Sequence, residues 1–274
     1  MSDNTDQIEY WNGQAGERWV TAQDRLDRML DPLSETAIER ADPQPGYRVL
    51  DVGCGCGATS IAMAQRDASV WGIDISAPML ARARQRAQGV GNVAFSQTDA
   101  ATQSFTPDHQ LVFSRFGVMF FADPVVAFVN MRTGLAPDGR LVFLCWQAPS
   151  ANPWVSVSAR AIQPFLPAPD ETPDPRAPGP FAFADETYVR DILSASGYAD
   201  IQCDVVNATL KLGDTLDEAL EFQGQIGPVS RVLGELDEST RAKALDAARN
   251  ALTDYAGGDG VQLEAACWLV SATG

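Results

Sequence analysis

Histidine and lysine are nearly missing from this chain. Its 274 residues include one histidine, His109, and two lysines, Lys211 and Lys243. Arginine brings the bases to 20 against 36 acids, a formal net charge of −16. A protein that tracks phosphates needs a basic stripe, and there is none, so nucleic acid is excluded as a partner. An anionic membrane surface is disfavoured for the same reason. The densest basic run, Arg82, Arg84 and Arg86, reads as the exposed side of a helix. No apolar run approaches the ~20 residues of a membrane span. The first residues, Met1-Ser-Asp-Asn-Thr-Asp6, are polar and acidic, unlike a targeting peptide. The five cysteines are an odd number and lie mostly in apolar runs, which suits reduced thiols in the cytoplasm. Cys54 and Cys56 form a Cys-x-Cys pair without a partner pair at metal-site spacing, so no metal is expected. They read as small fillers of a tight turn.

An apolar fraction of 45% is enough for a sizeable core. The length suits one large domain or one domain with an appended part. Aromatic and apolar positions from Trp11 to Ile38 recur at helical steps, so residues 8–40 are expected to be helical, within an N-terminal cap of residues 1–44. Asp42-Pro-Gln-Pro-Gly46 ends that pattern. Short apolar strands are then predicted at 47–52, 70–74, 93–98, 111–114 and 141–146, alternating with helices at 58–66, 76–88 and 123–135. Unbroken apolar strands separated by helices imply a parallel sheet covered on both faces, a doubly wound α/β unit. Ser76 reads as the cap of its helix, with Pro78 in the first turn.

Seven prolines fall between Pro164 and Pro180, along with Asp170, Glu171 and Asp174. Residues 147–184 are therefore expected to form a stiff loop, either plain surface or a lid over a substrate pocket. A helix over 185–196, a strand over 201–212, helices over 215–226 and 238–255, and a closing strand over 260–270 complete the reading. The acidity is uneven: net −5 over residues 1–150 and net −11 over residues 151–274.

The chemical signal is Val49-Leu-Asp-Val-Gly-Cys-Gly-Cys-Gly-Ala58. Its glycines permit a sharp turn and let a ligand lie against main chain at a helix N-terminus. Gly53-x-Gly55-x-x-Ala58 also fits a dinucleotide fingerprint with Asp74 as the ribose acid. Asp51 decides against it. A pyrophosphate there would face a carboxylate at a cost of roughly 1 to 4 kcal/mol for charges ~4 Å apart. S-adenosylmethionine, with no phosphate and two cationic centres, suits the site better. Asp74 ends the second strand, where it can accept from both ribose hydroxyls. Asp99 follows the third strand, where it can accept from an adenine amino group.

At these residues the chain resembles the class I S-adenosylmethionine-dependent methyltransferases. The motifs are Val49 to Gly57, Gly72-Ile-Asp-Ile-Ser76 with Met79-Leu80, Gln97-Thr-Asp-Ala100, Leu111-Val-Phe-Ser114 and Leu135-Ala-Pro-Asp-Gly-Arg-Leu141. The leader Tyr10–Trp19 and Pro178–Ala184 are similar to small-molecule enzymes of the ubiquinone/menaquinone-biosynthesis-like group. The resemblance implies a Rossmann-like seven-stranded sheet with an antiparallel last strand over residues 45–274, with a helical insertion at 215–256. It also implies that Gly53 and its neighbours hold the methionine part, Asp74 the ribose and Asp99 the adenine, with Asp51, Cys54, Gly55, Ile75, Met79, Thr98 and Ala100 also at the cofactor. S-adenosylhomocysteine would be the product. The chain departs from many relatives at Gln110, where an acid is common, with Asp108 displaced.

Methyl transfer needs alignment and exclusion of water more than it needs a base. Ser114 and Arg115 follow the fourth strand and should meet both cofactor and acceptor. Phe116, Met119 and Trp146 are candidates for the acceptor pocket. Trp11 and Trp19 are candidates to cap the cofactor. His109 lies before the fourth strand, at the wrong end of the sheet, and reads as an exposed bystander. The leading expectation is methyl transfer to a small-molecule acceptor. The alternative is a cofactor-binding relative that does not methylate: a sensor, a partner subunit, or a cyclase or isomerase.

Overall fold

The apolar runs become the inner strands of one sheet in the computed structural model of the chain, which describes residues 4–167, 174–234 and 236–274. Strands β1 (Arg48–Val52), β2 (Ser69–Asp74), β3 (Val93–Gln97), β4 (His109–Arg115) and β5 (Leu135–Trp146) run parallel. Helices α3 (Ala58–Ala64), α4 (Ala77–Arg86) and α5 (Pro124–Arg132) connect them. The last long strands, β6 (Ala199–Gly213) and β8 (Gly260–Thr273), pair antiparallel, and β8 also pairs antiparallel with β5. The spatial order is β3, β2, β1, β4, β5, β8, β6, with the two-residue β7 (Ala256–Gly257) paired to β8. This is the expected Rossmann-like sheet with its antiparallel late strand. Val49, Leu50, Leu111, Val112, Phe113, Leu141 and Phe143 are fully buried, as strands covered on both faces require.

The order reverses between β1 and β4, so the carboxyl ends of β1, β2, β3 and β4 flank the switch point of the sheet. Ligands of such folds bind in that crevice. The long β6–β8 ribbon raises one wall of it. Val261–Ala266 pair with β6 beyond Cys267, which pairs with Trp146 at the end of β5. The ribbon therefore projects past the carboxyl ends of the inner strands. Helices α6 (Pro153–Ile162), α8 (Leu216–Gln225), α9 (Pro228–Leu233) and α10 (Glu238–Leu252) pack together beside it.

The leader departs from the expected single helix. It forms α1 (Thr5–Asn12) and α2 (Gln14–Ala41), divided at Gly13, whose backbone is extended. Helix α2 buries Leu26, Met29, Leu30, Leu33, Ala37 and Ile38, whereas α1 buries none of its residues. The 147–184 segment holds more regular structure than a loop: α6 lies within it. Asp170 and Glu171 lie outside the described residues. Downstream, Ala182 and Phe183 are buried in the core, and the Gly179 amide donates to the Met119 carbonyl at 3.1 Å. Helix α7 (Glu186–Ala195) follows, capped by the Asp185 carboxylate, which accepts from the Thr187 amide.

Candidate cofactor-binding site

Asp51 is one residue from the end of β1 and has no exposed surface. The hydroxyls of Thr59 and Ser60, from α3, donate to its Oδ2 at 2.8 and 2.5 Å. Its Oδ1 is buried and has no hydrogen-bond partner among the described residues. Burial pushes this carboxyl up to about 6, against the pull of both hydroxyls and Arg115, while Asp74 pushes the same way as burial. A buried acceptor left unmet is costly, and a cationic group at the end of β1 would satisfy it. The ammonium of S-adenosylmethionine is such a group.

Beyond Val52 the chain turns through Gly53, Gly55 and Gly57, all at positive φ. A Cβ on Gly53 would lie 2.7 Å from the Cα of Gly117, and one on Gly117 would lie 2.7 Å from the Val52 carbonyl oxygen. The turns after β1 and β4 thus touch backbone to backbone. Asp74 fastens the glycine turn from the side. Its Oδ2 accepts from the Gly55 amide and its Oδ1 from the Ser76 amide, each at 2.8 Å. Burial raises its pKa, opposed by these amides and that of Ile75. Each carboxylate oxygen keeps a second lone pair. Arg86, at the end of α4, donates to the Cys56 carbonyl at 2.7 Å and pairs with Asp27 of α2 at 2.5 Å. Met79 is buried under Gly55. Burial drives the Cys54 thiol far up and the Cys56 thiol to about 12, so both stay protonated fillers. Among the described residues no group of three His, Cys, Asp or Glu side chains could hold a metal ion.

Asp99 follows β3. Its Oδ1 and Oδ2 accept from the Asn4 carboxamide nitrogen at 2.9 and 2.8 Å, and Oδ1 also accepts from the Ala101 amide. Asn4 Oδ1 accepts from the Ala122 amide at 2.9 Å. Nothing in the local sequence around Asn4 signals this contact. At the other end of α1, Asn12 donates to the Ile75 carbonyl at 2.9 Å and accepts from the Ala77 amide at 2.9 Å. Ser76 sits at the N-cap position, but its hydroxyl donates to the Trp11 carbonyl instead of capping α4. Helix α1 therefore crosses the carboxyl ends of β2 and β3. Trp11 packs edge-on against Phe120 and Trp19, with ring centroids at 5.3 and 5.9 Å. Thr98 donates to Gln103, and the Ala100 carbonyl accepts from Asn130, so both serve the loop that carries Asp99.

On the acceptor side, Ser114 is buried and its hydroxyl accepts from the Gly117 amide. Arg115 donates to the Ser34 hydroxyl of α2 at 2.7 Å, and burial lowers its pKa against the pull of Asp27 and Asp51. Phe116 adopts φ 62°, a left-handed conformation that a bulky residue keeps only under constraint. Its ring stacks on Trp146 at 4.1 Å and 6°, and Trp154 leans on Trp146 at 4.9 Å. Met119 is 1% exposed and belongs to the core. His109 is not the exposed bystander expected. It is buried, stacked on Trp71, with Nδ1 3.0 Å from the Gly134 carbonyl oxygen. The strand starts two residues earlier than its apolar run, which draws His109 into the sheet. It remains at the amino end of β4, away from the crevice.

Residues 49–139 match the family described as a methyltransferase domain. Over that third of its length the chain is similar to methyltransferase domains. It is 33% identical to aklanonic acid methyltransferase DauC of Streptomyces sp. (strain C5) over 137 residues, 47% of this chain and 62% of that protein. It is 31% identical to nocamycin O-methyltransferase of Saccharothrix syringae over 185 residues, 62% of this chain and 66% of that protein. The chain thus spans less than two thirds of the length of these relatives. Among solved structures, the YcgJ protein of Bacillus subtilis shares the fold, with a TM-score of 0.58 and 20% identity over 88% of this chain and 97% of that chain.

Proposed function

We propose that the protein transfers the methyl group of S-adenosylmethionine to a small-molecule acceptor at the crevice between β1 and β4. The carrying observation is the set of three carboxylates, Asp51, Asp74 and Asp99, at the carboxyl ends of β1 and β2 and just past β3, around a turn closed by backbone contact between Gly53 and Gly117. Asp51, with the backbone of Ser114, balances the cofactor's ammonium. Asp74 accepts from the ribose hydroxyls, and Asp99 accepts from the adenine amino group. Met79, Cys54 and the Ile75 backbone pack beside them, and Trp19 closes the outer side. Bound there, S-adenosylmethionine supplies a methyl group activated on a sulfonium. The chain's own part is to hold it in line with the acceptor and to exclude water.

The acceptor would enter beside Phe116, Arg115 and Trp146, under the wall raised by the β6–β8 ribbon and α6. Part of the 147–184 segment would form its lid. Of the two relatives named above, one is named for an acid and the other is an O-methyltransferase, so an oxygen acceptor is the first to test. The leader and Pro178–Ala184 support the narrower kinship with quinone-biosynthesis-like enzymes. The five unpaired cysteines support a reducing compartment, the cytoplasm. No described helix is long and apolar enough to cross a membrane.

The test is incubation with methyl-labelled S-adenosylmethionine and a panel of small carboxylic acids and hydroxyl compounds, with S-adenosylhomocysteine binding measured alongside. Label in a small molecule supports the proposal. Binding without transfer across the panel favours the non-methylating relative. A protein that binds no S-adenosylhomocysteine loses the cofactor assignment altogether.

A further inference from the structure

Asparagine is a preferred helix cap because its side chain can accept from the free amides of the first turn. Asn4 stands at the N-cap of α1 and makes no such bond. Its carboxamide reaches 95 residues along the chain to Asp99 and 118 residues to Ala122. Its carboxamide nitrogen straddles the Asp99 carboxylate, 2.9 and 2.8 Å from the two oxygens, and its oxygen takes the Ala122 amide. With the Ala101 amide also on Oδ1, the carboxylate has three of its roughly four acceptor positions filled. An exocyclic amino group carries the same two donors as a carboxamide nitrogen. An adenine amino group seated on that edge of the carboxylate would have to displace the Asn4 nitrogen, which spans both oxygens.

The element that delivers Asn4 is built to leave. Helix α1 has eight residues and buries none of its own, so its packing alone does not hold it on the sheet. Gly13 separates it from the well-buried α2. What ties it down is mostly polar: Asn4 at one end, Asn12 and the Trp11 carbonyl at the other. Trp11 adds its edge contact with Phe120.

We infer that Asn4 is a built-in competitor for the adenine subsite, its carboxamide standing in for the adenine amino group on Asp99 until the cofactor displaces it. The inference rests on the cofactor reading of Asp99 given above. It makes α1 a strap whose closed state lowers the apparent affinity for cofactor by the fraction of molecules in which it is shut. A strap shut in about nine molecules of ten costs about tenfold in apparent Kd. Exchange of one amino donor for another leaves the half-buried Asp99 carboxylate hydrogen-bonded in both states.

Calorimetric titration of the full chain with S-adenosylhomocysteine tests this. Removing the competitor, by Asn4→Ala, is expected to tighten binding about tenfold, whereas loss of a merely structural contact would weaken it. Asn4→Asp places a second carboxylate against Asp99 and is expected to tighten binding at least as much. Wild-type binding that is unchanged or weakened in Asn4→Ala overturns the competitor. So does Asn4→Asp binding more weakly than wild type. If wild type and both variants all fail to bind, the cofactor reading itself has failed. If wild type fails and Asn4→Ala binds, both readings hold and the strap is shut more firmly than supposed.

Discussion

A carboxyl group without solvent and with one unmet oxygen resists ionisation, and Asp51 is such a group. Its folded value of about 6 lies above the ordinary 3.8, so the native chain binds this proton more tightly than the unfolded chain. Stability from this group is therefore greatest below about pH 4, falls as pH rises toward 6, and is lost above it. The difference corresponds to about 3 kcal/mol at neutral pH. Asp51→Asn is expected to stabilise the free protein at pH 7.5 by about 1 to 3 kcal/mol and to change little at pH 4, read by urea unfolding at both values. The same variant should bind S-adenosylhomocysteine less tightly, because the cofactor's ammonium loses its counter-charge. Greater stability with weaker binding is the signature of a residue kept for function. At Asp74 the expectation is simpler. Asp74→Ala removes charged hydrogen bonds to the ribose and should weaken S-adenosylhomocysteine binding by about 1.5 to 3 kcal/mol. Unchanged affinity by calorimetry would contradict the ribose assignment. The three acids and the glycines were legible in the sequence because each belongs to a short local pattern. Asn4 was not, since its partners are remote in the chain.

Between elements, the arginines of α4 and β4 tie the glycine turn to α2. Arg86 joins the Cys56 carbonyl to Asp27, and Gln23 of α2 also donates to Asp27. Arg115 reaches Ser34, two turns further along α2. The run Arg82, Arg84, Arg86 looked like an exposed helix side, yet Arg86 is only about a quarter exposed. Nothing in its spacing marks it as different from Arg84; only the packing of α2 over α4 does. Arg86→Gln is expected to loosen the turn and raise the Kd for S-adenosylhomocysteine several-fold, with the far-ultraviolet spectrum unchanged. A Kd within error of wild type would detach α2 from the cofactor site. The parallel strands were readable from their apolar runs. The break at Gly13 was harder, because helical spacing continues through it and one glycine costs a helix only about 1 kcal/mol.

Across the whole molecule, the charge of −16 separates into two populations. Asp51, buried, and Asp74 and Asp99, half-buried, lie at the crevice. Many acids of the later half are exposed, and some carry partners there: Asp217 with Arg249, Asp214 with Lys211, Glu186 with Arg190. Exposed pairs of that kind contribute little. The unbalanced remainder repels itself, so added salt should stabilise the fold by screening. The melting temperature is expected to rise between about 0.02 and 0.2 M sodium chloride, followed by circular dichroism. A fall would mean that ion pairs outweigh the net repulsion. The same half of the chain builds the β6–β8 ribbon and its helices, which give the crevice its outer wall.

Composition and short patterns were enough to determine a doubly wound sheet and a glycine turn with three acids. Those follow from nearest neighbours along the chain: the period of apolar residues, the freedom of glycine, and the sign of charge beside a turn. Tertiary structure alone decided that His109 is enclosed, that Arg86 is a tether, that Phe116 is held left-handed against Trp146, and that Asn4 covers Asp99. Each of these depends on which distant backbone arrives beside the residue, and no local pattern in the sequence carries that information.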